Sequence, residues 1–189
     1  MVAIVEGLAN RMRIPALVQR HDSVAVMGAF AFVNGCVAIG VMSFGALVTG
    51  SPFVFPSLGP TAFLHFYTPM APAASPRNTL CGHAVGVAAA VISLLAFGLT
   101  GEGPALEDGM TLARVGAVAL SLGLTSGAMV WLRVPHPPAG ATTMIISLGI
   151  LTDAAHLAVL LFAVVLLTVQ AFLINRAAGV PYPRWSPES

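Results

Sequence analysis

The stretch Ser51-Pro-Phe-Val-Phe-Pro-Ser-Leu-Gly-Pro-Thr-Ala-Phe-Leu-His-Phe-Tyr67 is apolar, yet Pro52, Pro56, Gly59 and Pro60 prevent it from being one unbroken helix. A second stretch, Val134-Pro-His-Pro-Pro-Ala-Gly-Ala-Thr-Thr-Met-Ile-Ile-Ser-Leu-Gly-Ile-Leu151, has the same character. Aligned on their glycines, both read P-x-x-G-x-T. Pro56, Gly59 and Thr61 answer Pro137, Gly140 and Thr142 at an offset of 81 residues.

Each broken stretch lies between two long apolar segments, at about 24–49 and 79–100 for the first and 112–132 and 155–175 for the second. All four are long enough for a bilayer core, which takes roughly 20 apolar residues of helix. None contains Asp, Glu or Lys. The chain therefore reads as an all-α membrane protein made of two copies of long, broken, long. The matched motifs point to an ancient duplication. The parts are a cytoplasmic N-terminal segment (1–22), a first membrane repeat (23–103), a second (104–176) and a cytoplasmic tail (177–189). Residues 2–12 carry Val2, Val5, Leu8 and Met12 at helical spacing, as an interfacial helix ending near Pro15 would.

Composition agrees. The 189 residues are 57% hydrophobic and 8% charged, against roughly 25% charged in a soluble domain. All eight basic residues are Arg, and the net charge of +1 gives no reason to expect nucleic acid as a partner. The lipid bilayer is the expected surrounding, in a bacterial inner membrane. Cys36 and Cys81 both fall in apolar segments without metal-ligand spacing and read as buried free thiols.

Arginine placement separates two topologies, because cytoplasmic loops carry the excess of Arg and Lys. If the broken stretches are re-entrant, four crossings leave Arg77 and Arg133 outside. If they cross, six spans put Arg11, Arg13, Arg20, Arg77, Arg133, Arg176 and Arg184 in the cytoplasm, and only Arg114 is misplaced. Six spans fit better. Three spans per half then make the repeats inverted, a plan used by many secondary transporters.

Pro and Gly at membrane depth leave backbone groups that lipid cannot satisfy, so such backbone lies in protein or lines a wet cavity. A helix that starts there presents free N–H groups and about half a positive charge. Two such starts, brought together by an inverted repeat, would hold a small anion without a buried Lys or Arg. The expected substrate-binding residues are Gly59, Pro60, Thr61, Gly140, Ala141, Thr142 and Thr143, with His136 drawing in or gating the anion from the cytoplasmic side. His65, His83 and Asn34 are candidates for the pathway or a proton relay. The competing reading is of Pro-kinked helices packed for shape, with each His neutral and bonded to a carbonyl. Asn78, Thr79, Ser121, Thr125 and Ser126 would bond across helices, and Gly28, Gly35, Gly40 and Gly45 would let backbones approach closely.

No catalytic set emerges. The acidic residues are Glu6, Asp22, Glu102, Glu107, Asp108, Asp153 and Glu188, all at segment ends or in loops. No enzyme activity, metal or cofactor is expected. A scaffold without transport remains the main rival, and a membrane-embedded enzyme using His65, His83 or His136 a weaker one. A homodimer would bury more of the broken helices.

With its His136-Pro137-Pro138 triplet inside Val134 to Thr142, and the earlier Pro56-to-Ala62 motif, the chain resembles the HPP family of integral membrane proteins over about residues 22–176. The resemblance implies a membrane protein usually described with four transmembrane helices. Nitrite transport has been assigned to chloroplast and cyanobacterial members, which makes nitrite the expected substrate here. Some members carry a soluble C-terminal regulatory domain. None is expected in this chain, which stops soon after its last span.

Overall fold

The computed structural model describes residues 13–187, so the interfacial helix expected over residues 2–12 lies outside the described residues. The helices are α1 (Ile14–Val18), α2 (Ser23–Thr49), α3 (Leu58–Tyr67), α4 (Pro76–Ala96), α5 (Ala105–Asp108), α6 (Leu112–Trp131), α7 (Ala139–Ser147) and α8 (Ala154–Ala177). A 3-10 turn, Pro72–Ala74, joins α3 to α4, and the described residues contain no strand. Four helices, α2, α4, α6 and α8, are long and apolar enough to cross a membrane.

Each long helix starts on a polar cap that takes one of its free N–H groups. Asp22 accepts from the Val24 N–H at 2.9 Å, Thr111 from Arg114 at 3.1 Å and Asp153 from His156 at 3.1 Å. Ser75 does the same for Asn78, more weakly at 3.4 Å, with Pro76 occupying the first turn of α4. The short helices differ. Ser57 and Pro138 stand at their N-caps and make no side-chain cap. With 10 and 9 residues, α3 and α7 are about 15 and 13 Å long, half a bilayer core each. The segments ahead of them, 51–57 and 132–138, carry the chain in without regular structure.

Hydrogen bonds tie helix ends into two groups. At one end of the bundle, Ile14 N–H bonds the Ala178 carbonyl at 3.0 Å and Arg77 N–H bonds the Trp185 carbonyl at 3.0 Å. The Arg77 guanidinium reaches the Leu132 and Arg133 carbonyls, each at 3.4 Å. The starts of α1 and α4 and the ends of α6 and α8 therefore lie together. At the other end, Ala105 N–H bonds the Leu148 carbonyl at 2.9 Å, joining the α4–α6 loop to the end of α7. Buried Arg114 sits there too, donating to the Ser147 carbonyl at 3.3 Å and the Gly103 carbonyl at 2.8 Å. A cation at the C-terminal end of α7 is placed where the helix dipole favours it.

Two apolar clusters form, and each wraps one short helix. The first sets Leu58, Ala62 and Phe66 of α3 against Phe30 and Met42 of α2 and Leu160, Val164 and Leu167 of α8, with Phe55 beside them. The second sets Ile146 of α7 against Ala90 and Leu94 of α4 and Ala117 of α6. The halves thus interlock, since each short helix has one neighbour from its own half and one from the other.

Glycine use departs from the sequence reading. A Cβ at Gly28, Gly35, Gly40 or Gly45 of α2 would meet nothing within 4 Å, so these glycines bring no backbones together within the chain. Close approach occurs on α4 instead. A Cβ at Gly82 would sit 2.6 Å from the His136 Cβ, and one at Gly86 would sit 2.9 Å from both the Ala139 carbonyl and the Thr143 hydroxyl. Gly82-x-x-x-Gly86 is the spacing that lets membrane helices touch closely, and here it seats the start of α7.

Candidate functional site

The polar side chains of the interior converge where the two apolar clusters meet. Thr61 is buried on the inner face of α3, with His65 one turn further along. His83 is buried on α4, and Thr142 and Thr143 on α7. His136, expected at the mouth, is instead fully buried.

Their contacts form a network. The Thr61 hydroxyl lies 3.0 Å from His83 Nε2 and 3.3 Å from His136 Nε2, and the two Nε2 atoms are 3.2 Å apart. On the other side of the His83 ring, Nδ1 lies 2.7 Å from the Thr142 hydroxyl. His83 therefore joins the equivalent threonines of the two P-x-x-G-x-T motifs through its two ring nitrogens. Thr143 points elsewhere, to the Thr125 hydroxyl at 2.8 Å and the Ala139 and Gly86 carbonyls at 3.1 and 3.3 Å. That contact ties α6, α7 and α4 together.

A second group sits beside the first. His65 Nδ1 lies 2.8 Å from the hydroxyl of Tyr182, which also donates to the Ala74 carbonyl. Asn175 of α8 donates to the His65 carbonyl at 3.0 Å. Tyr182 comes from the C-terminal tail and is fully buried, and burial pushes its phenol above the ordinary range, keeping it a donor. Among the described residues five buried side-chain atoms have no hydrogen-bond partner: Ser57 Oγ, His65 Nε2, Asn78 Oδ1, Thr79 Oγ1 and Asn175 Oδ1. Ser57, Thr61 and His65 follow one another at four-residue intervals on α3, as Thr79 and His83 do on α4, so each set lies along one helix face. Unpartnered polar groups are costly in a membrane interior.

Not every expected residue joins. Gly59 and Pro60 are exposed on the outer side of α3, and Gly140 and Ala141 are half-buried. The N–H groups of Ala139, Gly140 and Ala141 already bond the His136, Pro137 and Pro138 carbonyls at 2.9–3.1 Å. Asn34 stands apart from the network and bonds the Phe30 carbonyl of its own helix at 2.8 Å. Gly82, Gly86, Asn175 and Tyr182 were not singled out from the sequence. The Gly-x-x-x-Gly spacing on α4 is a readable signal, whereas nothing local marks Tyr182.

Two cavities flank the network. One of about 350 Å3 is lined by His136, Pro137 and Gly140 together with Leu122, Ser126 and Met129 of α6. The other, also about 350 Å3, lies between the short helices, with Pro60, Phe63 and Leu64 facing Pro137, Pro138 and Ala141. A third, of about 200 Å3, is an apolar groove between α4 and α8 and touches none of the network. Among the described residues no group of three His, Cys, Asp or Glu is arranged to hold a metal ion.

Searches of the curated proteins and of the solved structures gave no match. A family model, HPP transmembrane region, matches residues 20–183. With both proline–glycine motifs and all four long apolar helices inside that match, the chain belongs to the HPP family of integral membrane proteins.

Proposed function

We propose that the protein is a transporter or channel for a small inorganic anion, with nitrite the first candidate, and that it is not an enzyme. One observation carries this reading. Equivalent threonines of two duplicated motifs, Thr61 and Thr142, bond the two nitrogens of one buried histidine, His83. A duplicated backbone break that converges on a polar point inside an otherwise apolar bundle is the arrangement of a midplane substrate site. The imidazoles of His83 and His136 are the donors in this reading, the hydroxyls of Thr61 and Thr142 hold the His83 ring, and Thr143 fixes α7 beside it. Gly59, Pro60, Gly140 and Ala141 shape the break around them. Nitrite itself rests on the family alone.

The same reading has the broken stretches cross, giving six spans in two inverted repeats with both termini cytoplasmic. The grouping of helix ends supports this. The starts of α1 and α4 lie at one end of the bundle, so the chain between them must go across and return. Residues 51–57 reach at most about 24 Å when extended, and α3 adds about 15 Å, enough for a core of about 30 Å. An all-helical protein suits the bacterial inner membrane, since outer-membrane spans are closed barrels. A second copy would cover the outer side of the breaks, where Pro56, Gly59, Pro60 and Pro137 are exposed at a depth where lipid satisfies no backbone group.

Flux in proteoliposomes tests the site. Thr142→Val leaves the buried His83 Nδ1 without its partner, a loss of about 1–3 kcal/mol, so it is expected to slow nitrite flux by about 10–100-fold. Wild-type flux in both Thr142→Val and Gly140→Leu would remove the proposed site. Thiol labelling of cysteines placed at positions 20 and 77 checks the crossing, since six spans put them on the same side and four spans put them on opposite sides.

A further inference from the structure

Carbonyl oxygens only accept, and this decides where the hydrogens of the network lie. His136 must donate through Nδ1 to the Ala73 carbonyl, 2.7 Å away. Tyr182 gives its hydroxyl hydrogen to the Ala74 carbonyl, so His65 Nδ1 donates to the Tyr182 oxygen. Neutral His136 and His65 therefore turn bare Nε2 lone pairs inward, and that of His65 has no partner. His83 Nε2 and His136 Nε2, 3.2 Å apart, need one hydrogen between them. Thr61 gives its own hydrogen to the Ser57 carbonyl at 2.9 Å and can only accept, so His83 Nε2–H is shared between the Thr61 oxygen and His136 Nε2, while His83 Nδ1 accepts from the Thr142 hydroxyl.

An anion cannot bind to lone pairs, and the neutral His83–His136 pair is closed on itself. One more proton changes that. It passes from a hydronium ion to His136 Nε2, an N–H bond forming as the O–H bond breaks and water leaves. Both Nε2 atoms then carry hydrogens that face one another and must part, leaving two donors aimed at one point. A single oxygen of an anion accepts from both.

Among the described residues no carboxylate lies in the interior to balance the added charge. The other titratable groups beside the pair are His65 of α3 and Tyr182 of the tail. From α6, α7 and α8 come neutral groups, the hydroxyls of Thr125, Ser126, Thr142 and Thr143 and the amide of Asn175. Arg77, at the head of α4, is already committed to the Leu132 and Arg133 carbonyls. Every carboxylate among the described residues is exposed at a helix end or in a loop. A charge left uncompensated in such an interior is strongly disfavoured, so proton and anion are each other's counter-ion.

We propose that the His83–His136 pair takes up one proton with each anion, so that the substrate moves through the protein as an electroneutral pair. This rests on the anion reading above. Calorimetric titration of the full chain in nanodiscs with sodium nitrite, at one pH in two buffers of different ionisation enthalpy, counts the protons taken up. The expected result is about one proton per nitrite bound, falling to none in His136→Gln with at least a tenfold loss of affinity. Binding without proton uptake in the wild type overturns the coupling and leaves the anion reading standing. Absence of binding for nitrite, nitrate, formate and bicarbonate alike overturns both. Should His136→Gln fail to fold, the wild-type proton count still decides, and His83→Gln serves as the second variant with the same expected loss.

Discussion

Phe55 and His136 occupy the same place in the two motifs, each just ahead of the first proline, and both are buried. Phe55 sits in the apolar cluster with Leu58 and Phe30, whereas His136 meets Thr61 and His83 in the polar network. The difference teaches that matched motifs need not do matched work. Both motifs turn a threonine to the His83 ring. His136 comes from the second break, His65 from the first and His83 from a long helix, so the polar network draws on both halves.

The comparison can be broken by exchanging its parts. His83→Leu has the largest expected effect. It orphans the buried Thr142 hydroxyl and removes the donor to the Thr61 oxygen, which keeps its bond to the Ser57 carbonyl; the unpartnered hydroxyl costs about 1–3 kcal/mol, and nitrite flux in proteoliposomes should fall by ~100-fold or more. His136→Phe, which makes the second break resemble the first, should reduce flux by about 10–100-fold while the purified protein stays monodisperse. The reverse exchange, Phe55→His, puts an imidazole among apolar side chains. It should cost about 2–4 kcal/mol of stability, read as a lower melting temperature, and gain no function.

Smaller effects sharpen the picture. Gly82→Ala drives a methyl into the His136 Cβ and should cost about 1–3 kcal/mol. Gly35→Ala, where a Cβ on α2 meets nothing within 4 Å, should change thermal stability by less than about 0.5 kcal/mol. Equal effects at the two glycines would show that α2 is as tightly packed as α4. Tyr182→Phe strands His65 Nδ1 and the Ala74 carbonyl and should cost about 1–2 kcal/mol, measured by the same thermal assay.

Much of this was legible from residues alone, because hydropathy and Pro/Gly punctuation are local signals. The four long helices and the two short ones fall where the apolar runs and prolines put them, since no distant contact is needed to make an apolar run helical in lipid. Thr61, Thr142, His83 and His136 were each candidates, but their meeting was not readable. Partnership between residues 61, 83, 136 and 142 depends on how α3, α4 and α7 dock. The four α2 glycines show the opposite failure. Small residues license close approach without saying which helix approaches, and the close contact formed at Gly82 and Gly86.

By itself the sequence determined that the chain lies in a membrane and where its helices break, because these follow from transfer free energies and backbone stereochemistry within a segment. Tertiary structure alone decided that His136 is buried rather than at the mouth, that His83 joins the two motifs, and that Tyr182 of the tail reaches back to His65. The physical reason is that a polar side chain in an apolar bundle must find a partner, and which partner it finds is set by helix packing across the two halves.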